Sequence, residues 1–317
     1  MPVLDQNTIS TISHATKIDA IVEKVKKSEC ILFLGAGVHF HSPDGSPYAY
    51  SAGDCPPMGS KFSADLAKDC EFMTHFPKGD VGNLQRVSLC YEITNNRQAL
   101  VEEVKKAVQT GKKPSPALYA LAKLPFSLII TTNYDQLLEK ALRDVGKNPN
   151  VGVYNKDSYA NTIDFPDATP EEPFVFKLHG DIQFPDSIVI TDEDYIQFVL
   201  RMSDKDAFHP VPETFRYNFK RWPTLFVGYS LLDYNLRLLF KTLRWKMDKA
   251  KFPATYSVDP YPDPLIFDVW YNQNKYVTFI AQDVWSFVPE LYRMVTGKDW
   301  DHDPDLYRVI LGKEMPI

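Results

Sequence analysis

Basic residues are not in excess in this chain: 35 lysines and arginines stand against 41 aspartates and glutamates, a formal net charge of −6. That balance excludes a surface dominated by contacts to nucleic-acid phosphates, so no direct nucleic-acid partner is expected. The lysine pairs in "KKSEC", "VEEVKKAV" and "TGKKPS" read as solvated helix faces. Long apolar runs are missing as well. No window approaches 18 consecutive apolar residues, and the first twenty residues lack the basic start and apolar stretch of a signal peptide. Neither a membrane span nor export is expected, and the chain reads as cytosolic. Cysteine is scarce: Cys30, Cys55, Cys70 and Cys90 lie far apart, none at Cys-x-x-Cys spacing. A structural zinc needs thiolates paired at short spacing, so these read as reduced thiols. Among the seven histidines only His39 and His41 are close neighbours. With Asp44 they can be imagined around a metal, but the plainer reading is polar groups on a loop. Internal repeats and low-complexity tracts are also missing.

What is present is ordinary globular composition, 44% hydrophobic and 24% charged over 317 residues, enough to bury a sizeable core. One domain spanning 1–317 is expected, with a helical insertion at about 60–125. Short apolar runs stopped by glycine or polar residues, "ILFL", "FSLIIT", "FVFKL", "IVI", "TLFVG" and "TYSV", predict strands buried on both faces of a parallel sheet. Helical spacing predicts helices at Ile18–Lys27, Lys61–Phe72, Leu84–Ile93, Ala99–Val108, Ala117–Leu124, Tyr134–Val145, Glu193–Met202, Thr214–Arg221, Tyr234–Met247 and Val284–Val295. Segments 152–173 and 252–276, dense in Pro, Asp and Asn, read as long connections. Alternating strand and helix gives the expected class: α/β, Rossmann-like and doubly wound, with a mostly parallel sheet and helical insertions.

Polar clusters fall directly after four of the apolar runs: "GAG" (Gly35, Ala36, Gly37), "TTNYD" (Thr131 to Asp135), "HGD" (His179 to Asp181) and "GYS" (Gly228, Tyr229, Ser230). In an open parallel sheet the carboxyl ends of all strands lie along one edge, where such folds bind ligands, so these residues should converge on one cleft. Two glycines let a backbone approach a pyrophosphate closely, although the third glycine of the dinucleotide fingerprint is absent, Phe40 standing in its place. Asn133 and Asp135 can both cap a helix, but one suffices. Asp135 can take that task and leave the Asn133 amide to orient a ribose hydroxyl or a water. His179, with an ordinary pKa near 6.5, is suited to accept a proton from a hydroxyl or a water. Asp233 either caps the following helix or reaches a ribose.

Taken in order, "FLGAGV", "ITTNYD", "FKLHGDI" and "LFVGYSLLD" resemble the sirtuin family, and more closely its bacterial sirtuin-like branch of anti-phage defence proteins. The four motifs span Leu32 to Asp233. The resemblance implies an NAD-binding Rossmann-like domain in which Gly35, Ala36 and Gly37 line the phosphates. It puts Thr132 in the cofactor site and Asn133 and Asp135 near the nicotinamide ribose, makes His179 the base, and has Gly228, Tyr229 and Ser230 close over the cofactor. The departures matter equally. Deacylases of the family carry a zinc module of two Cys-x-x-Cys pairs between the histidine motif and the glycine-serine turn, and no cysteine occurs between Gly180 and Gly228. No zinc is expected. Thr132 and Tyr134 replace the glutamine and isoleucine of the deacylase "TQNID" motif, and the loop Val38 to Gly59 resembles the deacylase cofactor loop only loosely.

The expected activity is therefore hydrolysis of NAD to nicotinamide and ADP-ribose, with NAD as substrate. Unregulated NAD cleavage poisons a cell, so an off state is expected. With the last helix expected at Val284–Val295, no room for an appended sensor domain is expected. Activation is thus expected through assembly, as a homo-oligomer or with a separately encoded subunit such as a ring-forming ATPase or an Argonaute-type protein. The alternatives are a protein deacylase or ADP-ribosyltransferase, which needs a peptide groove, and a non-catalytic NAD or ADP-ribose sensor.

Overall fold

The computed structural model describes residues 18–156, 163–202, 209–231, 252–273 and 277–315. In chain order the elements begin with α1 (Asp19–Lys26), β1 (Ile31–Leu34) and a 3-10 turn at Ala36–His39. Four helices follow: α2 (Gly59–Asp69), the single turn α3 (Phe72–His75), α4 (Leu84–Thr94) and α5 (Arg97–Val108). Then come α6 (Pro116–Lys123), β2 (Leu128–Thr131), α7 (Leu137–Asp144), β3 (Asn150–Val153), β4 (Phe174–Lys177), α8 (Asp192–Met202), α9 (Glu213–Asn218) and β5 (Thr224–Val227). The chain continues through β6 (Thr255–Val258), the short α10 (Pro264–Phe267), β7 (Thr278–Ile280), α11 (Val284–Thr296) and α12 (Pro304–Leu311).

The seven strands form one sheet in the order β3-β4-β2-β1-β5-β6-β7, and every pairing is parallel. Side chains alternate between its two faces, as the pleat requires. Leu32, Leu34, Ile129, Val175, Leu225 and Val227 face a core built with α1, α6, α7 and α11. Ile31, Phe33, Leu128, Ile130, Phe174, Phe176 and Phe226 face a second core with α8 and α9. Both faces are covered, which is why these strands read as continuous apolar runs. Between β1 and β2, α2 to α5 gather a third core around Phe62, Leu66, Phe72, Val87, Leu100 and Val104, and Ile182, Ile188 and Ile190 from the loop after β4 join it. Helix α6 packs in the sheet's own core instead.

Some expectations need correcting. "IVI", Ile188 to Ile190, is no strand. Its N–H groups are engaged elsewhere: Val189 donates to the His179 carbonyl at 3.0 Å, Ile188 to Pro185 at 3.4 Å and Ile190 to Asp194 Oδ2 at 3.1 Å. The run is apolar because it plugs two cores from a loop. Conversely β3 lies at the start of an expected connection. Its Gly152 sits where a Cβ would come 2.9 Å from the Phe174 ring, so aromatic bulk on β4 selects a residue of low strand propensity there. β7 and α12 also lie outside the expected elements; α12 is capped by Asp303, whose Oδ1 accepts from Asp305 and Leu306 N–H. Helix α7 starts at Leu137, three residues later than its apolar spacing implies, because Tyr134 and Asp135 belong to the strand-end loop. The expected helix Tyr234–Met247 and Asp233 lie outside the described residues.

Candidate functional site

The sheet's connections run one way from β1 through β2 to β4 and β3, and the other way through β5 to β6 and β7. The ends of β1, β2, β4 and β5 flank the point where the direction changes, the place at which doubly wound sheets leave a crevice. A cavity of about 260 Å³ opens there. Ala36, Gly37, Thr132, Asn133, Asp135, His179, Gly228, Tyr229 and Ser230 all line it, joined by His39, Tyr195 and an apolar wall of Pro56, Pro57, Met58 and Phe62. Gly35 does not line it, and Asp233 lies outside the described residues.

Gly35 and Gly37 have a cause visible in the packing. A Cβ on Gly35 would come 2.5 Å from the Gly228 carbonyl, and one on Gly37 2.9 Å from Gly228 Cα. The two strand-end loops touch backbone to backbone, and Gly37 N–H donates to the Gly228 carbonyl at 2.8 Å. Gly228 completes the contact at φ +66°, where its own Cβ would lie 2.6 Å from the Gly37 carbonyl carbon. Two N–H groups of this glycine turn are therefore already engaged, Gly37 here and Gly35 with Val227 at 3.1 Å.

On β2, Thr131 Oγ1 donates to the Leu34 carbonyl at 3.1 Å and accepts from Asn133 N–H at 3.1 Å, which turns the chain sharply at the strand tip. Asn133 is left half-buried on the cavity wall. Asp135 Oδ1 accepts from Leu137 N–H at 2.9 Å and so serves the start of α7. Tyr134 reaches across to donate its hydroxyl to the Val189 carbonyl at 2.8 Å, tying this loop to the one beyond His179.

His179 is buried between two rings of α8, Tyr195 and Phe198, each edge-on with its centroid 5.3 Å away. The Tyr195 hydroxyl lies 3.4 Å from His179 Nδ1, and Tyr195 itself lines the cavity. Gly180 follows at φ +90°, where a Cβ would fall 2.7 Å from Ser187 Oγ. Only glycine turns the chain sharply enough here to let Val189 return to the His179 carbonyl.

Three participants escape a motif-based reading. His39 is not a surface loop residue: it ends the 3-10 turn 2% exposed, with Nε2 4.0 Å from Asp135 Oδ1. Burial lowers its pKa, partly offset by the Asp135 carboxylate. His41, by contrast, is exposed and stacks on Phe40. Among the described residues no group of three or more His, Cys, Asp or Glu is placed to hold a metal ion. Tyr195 carries no sequence signal beyond its place in an amphipathic helix. The third, Lys177, does: a charge within the buried run "FVFKL" demands partners. A second cavity of about 470 Å³ adjoins the first through His39, Met58 and Phe62, and Lys61, Asp65, Glu103 and Lys106 line its far side. Among the described residues no helix is long and apolar enough to cross a membrane.

Residues 127–280 match the family profile of the SIR2-like domain. The chain is 29% identical over 230 residues to the NAD(+) hydrolase ThsA of Acinetobacter baumannii, a match covering 72% of this chain and 42% of that protein. It is 34% identical over 134 residues to the ThsA of Enterococcus faecium, covering 42% of this chain and 26% of the relative. The defense-associated sirtuin 2 of Bacillus subtilis is 23% identical over 272 residues, 83% of this chain and 23% of its own length. The chain thus spans less than half the length of these curated relatives. β2, β4 and β5 and the loops that carry Asn133, His179 and Gly228 all lie inside the stretch that is similar to a SIR2-like domain.

Proposed function

We propose that the chain hydrolyses the nicotinamide glycosidic bond of NAD to nicotinamide and ADP-ribose. The observation that carries this is the meeting of Asn133 and His179 on one strand-end cavity in a stretch similar to a SIR2-like domain. Relatives that bear the name NAD(+) hydrolase support it.

As the bond from C1′ of the ribose to the pyridinium nitrogen breaks, its electron pair moves to nicotinamide, which leaves neutral, and positive charge builds on the sugar. An enzyme gains by holding that sugar and presenting an aligned nucleophile. The Asn133 amide, half-buried at the strand tip, orients the ribose and the attacking water. His179 takes a proton, from the water as its oxygen bonds to C1′ or from a ribose hydroxyl. Asp135 stands near the nicotinamide ribose, and Thr132 contributes to the same wall. Ala36, Gly37, Gly228, Tyr229 and Ser230 form the wall along which the diphosphate runs, with Gly35 beneath them as the close-packing residue. A zinc ion has no part in this reading. The domain spans 1–317 as one unit with a helical insertion at about 60–125. The biological setting is NAD depletion in anti-phage defence, switched on by homo-oligomeric assembly or by a separately encoded subunit, a ring-forming ATPase or an Argonaute-type protein. A cytoplasmic site of action accords with an NAD substrate.

The test is chromatography of NAD after incubation with the purified chain. Nicotinamide and ADP-ribose released by the wild type, and not by His179→Ala, support the reading. Equal release by His179→Ala refutes the assignment of the base.

A further inference from the structure

Lys177 ends β4, two residues before His179, and is 0% exposed. Its ammonium lies 2.6 Å from Asp181 Oδ2 and 3.2 Å from Glu139 Oε1. It also reaches the Tyr134 carbonyl at 3.3 Å and donates to the Asp135 carbonyl. These acceptors come from three segments. Tyr134 and Asp135 directly follow Asn133, Glu139 lies in the first turn of α7, and Asp181 lies two residues beyond His179.

Stability alone does not call for this arrangement. Exchanging a buried ion pair for well-packed apolar side chains is often neutral or stabilising, because taking charges out of water costs as much as their attraction returns. Burial by itself would lower the lysine pKa, but Glu139, Asp181 and Asp135 outweigh it, so the pKa is raised and the ammonium stays charged. Burial raises the pKa of Glu139, partly offset by the Lys177 charge, and Asp181, at 2.6 Å, is the nearer of the two carboxylates. What an ammonium adds over a methyl group is direction: its donors must meet acceptors that are fixed in space. Here three of the four acceptors, the Tyr134 and Asp135 carbonyls and the Asp181 carboxylate, belong to the two loops that carry the residues assigned to chemistry, and the fourth, Glu139, lies on α7.

We propose that Lys177 is a positioning residue: its buried ammonium clamps the Asn133 loop to the His179 loop and sets how the two side chains face each other across the cavity. This rests on the NAD-cleaving reading above for its consequence, though the clamp itself does not.

The test compares the wild type with Lys177→Met/Glu139→Gln/Asp181→Asn, which removes the ammonium together with the two carboxylates that contact it and leaves Asp135 its hydrogen bond from Leu137 N–H. Circular dichroism and thermal melting verify the fold. Two readouts separate positioning from mere stability: kcat and KM for NAD measured separately, and the His179 imidazole resonance, assigned with His179→Ala. In the folded triple variant kcat is expected to fall about 100-fold with KM little changed, the cost of roughly 1 Å of misplacement. The single His179 line should broaden or split. Wild-type kcat with an unchanged imidazole line overturns the proposal. Should the isolated wild type leave NAD intact, either its activator is absent or the cleft only binds NAD; the imidazole line then decides on the clamp alone. Should the triple variant not fold, Lys177→Arg, which keeps the charge but moves its donors outward, is read the same way: an unchanged line and kcat in the folded protein overturn the proposal, and a smaller loss of kcat at constant KM supports it.

Discussion

Gly228→Ala tests the close contact of the β1 and β5 loops directly. At φ +66° the residue lies in the left-handed region, which costs an L side chain about 1–2 kcal/mol. The new Cβ would also overlap backbone: Val38 N, the Gly37 carbonyl carbon at 2.6 Å and Gly37 Cα at 3.0 Å. No side chain can rotate away to relieve that, and such overpacking costs a further ~1–3 kcal/mol. Together the loss is about 2–5 kcal/mol, which over 317 residues, at about 2.1 cal/mol/K of unfolding entropy per residue, lowers Tm by about 3–7 °C. The control is Gly45→Ala. Gly45 has a similar φ of +79° but open space around its Cβ, so it carries the backbone cost alone and should lower Tm by only about 2–3 °C. Differential scanning calorimetry of the two variants separates overlap from strain. The overlap also threatens the 2.8 Å bond from Gly37 N–H to the Gly228 carbonyl, so NAD turnover should fall in Gly228→Ala and not in Gly45→Ala. Equal Tm shifts would refute the argument that backbone contact, and not conformation alone, demands glycine at 228.

Asn133→Ala and His179→Ala should each lower NAD turnover by ~10²–10⁴ in kcat with the fold retained, as expected for an orienting amide and a general base; full activity in either removes it from the mechanism. Tyr195→Phe deletes the hydroxyl 3.4 Å from His179 Nδ1 but keeps the ring contact, so kcat should drop while NAD binding by calorimetry is retained; a weakened affinity at unchanged kcat contradicts the orienting role. Asp303 is buried, which raises its pKa, but the Lys123 ammonium, the Tyr292 hydroxyl and the Leu306 N–H outweigh this and bring it down to about 2. Its folded pKa is thus depressed below an unfolded value of about 3.9, so its stabilisation is present above pH 4 and is lost as pH falls toward 2. Chemical denaturation across that range should show Asp303→Asn with a shallower acid loss than the wild type; parallel curves refute the linkage.

The strand ends were legible because of their chemistry. A strand covered on both faces has to be apolar throughout, so "ILFL", "LIIT" and "TLFV" stand out, and the polar residue that ends each run falls on the ligand edge by topology alone. Asn133, His179 and Gly228 follow from that without coordinates, and so does their convergence. The same rule fails at Ile188 to Ile190, because an apolar run records burial and not backbone pairing, and a loop that plugs two cores is buried just as deeply as a strand. Gly35 and Gly37 show a similar limit. Composition marks them as sites of close approach, yet only the folded chain decides that the approaching group is Gly228. His39 beside Asp135, Tyr195 over His179, and Glu139 beside Lys177 lie beyond any sequence pattern, since their meeting depends on how the helices pack against the strand-end loops. Local sequence sets which residues end at the cleft, because periodicity and turn chemistry are short-ranged. Orientation within the cleft comes from long-range packing, and that exists only once the sheet has assembled.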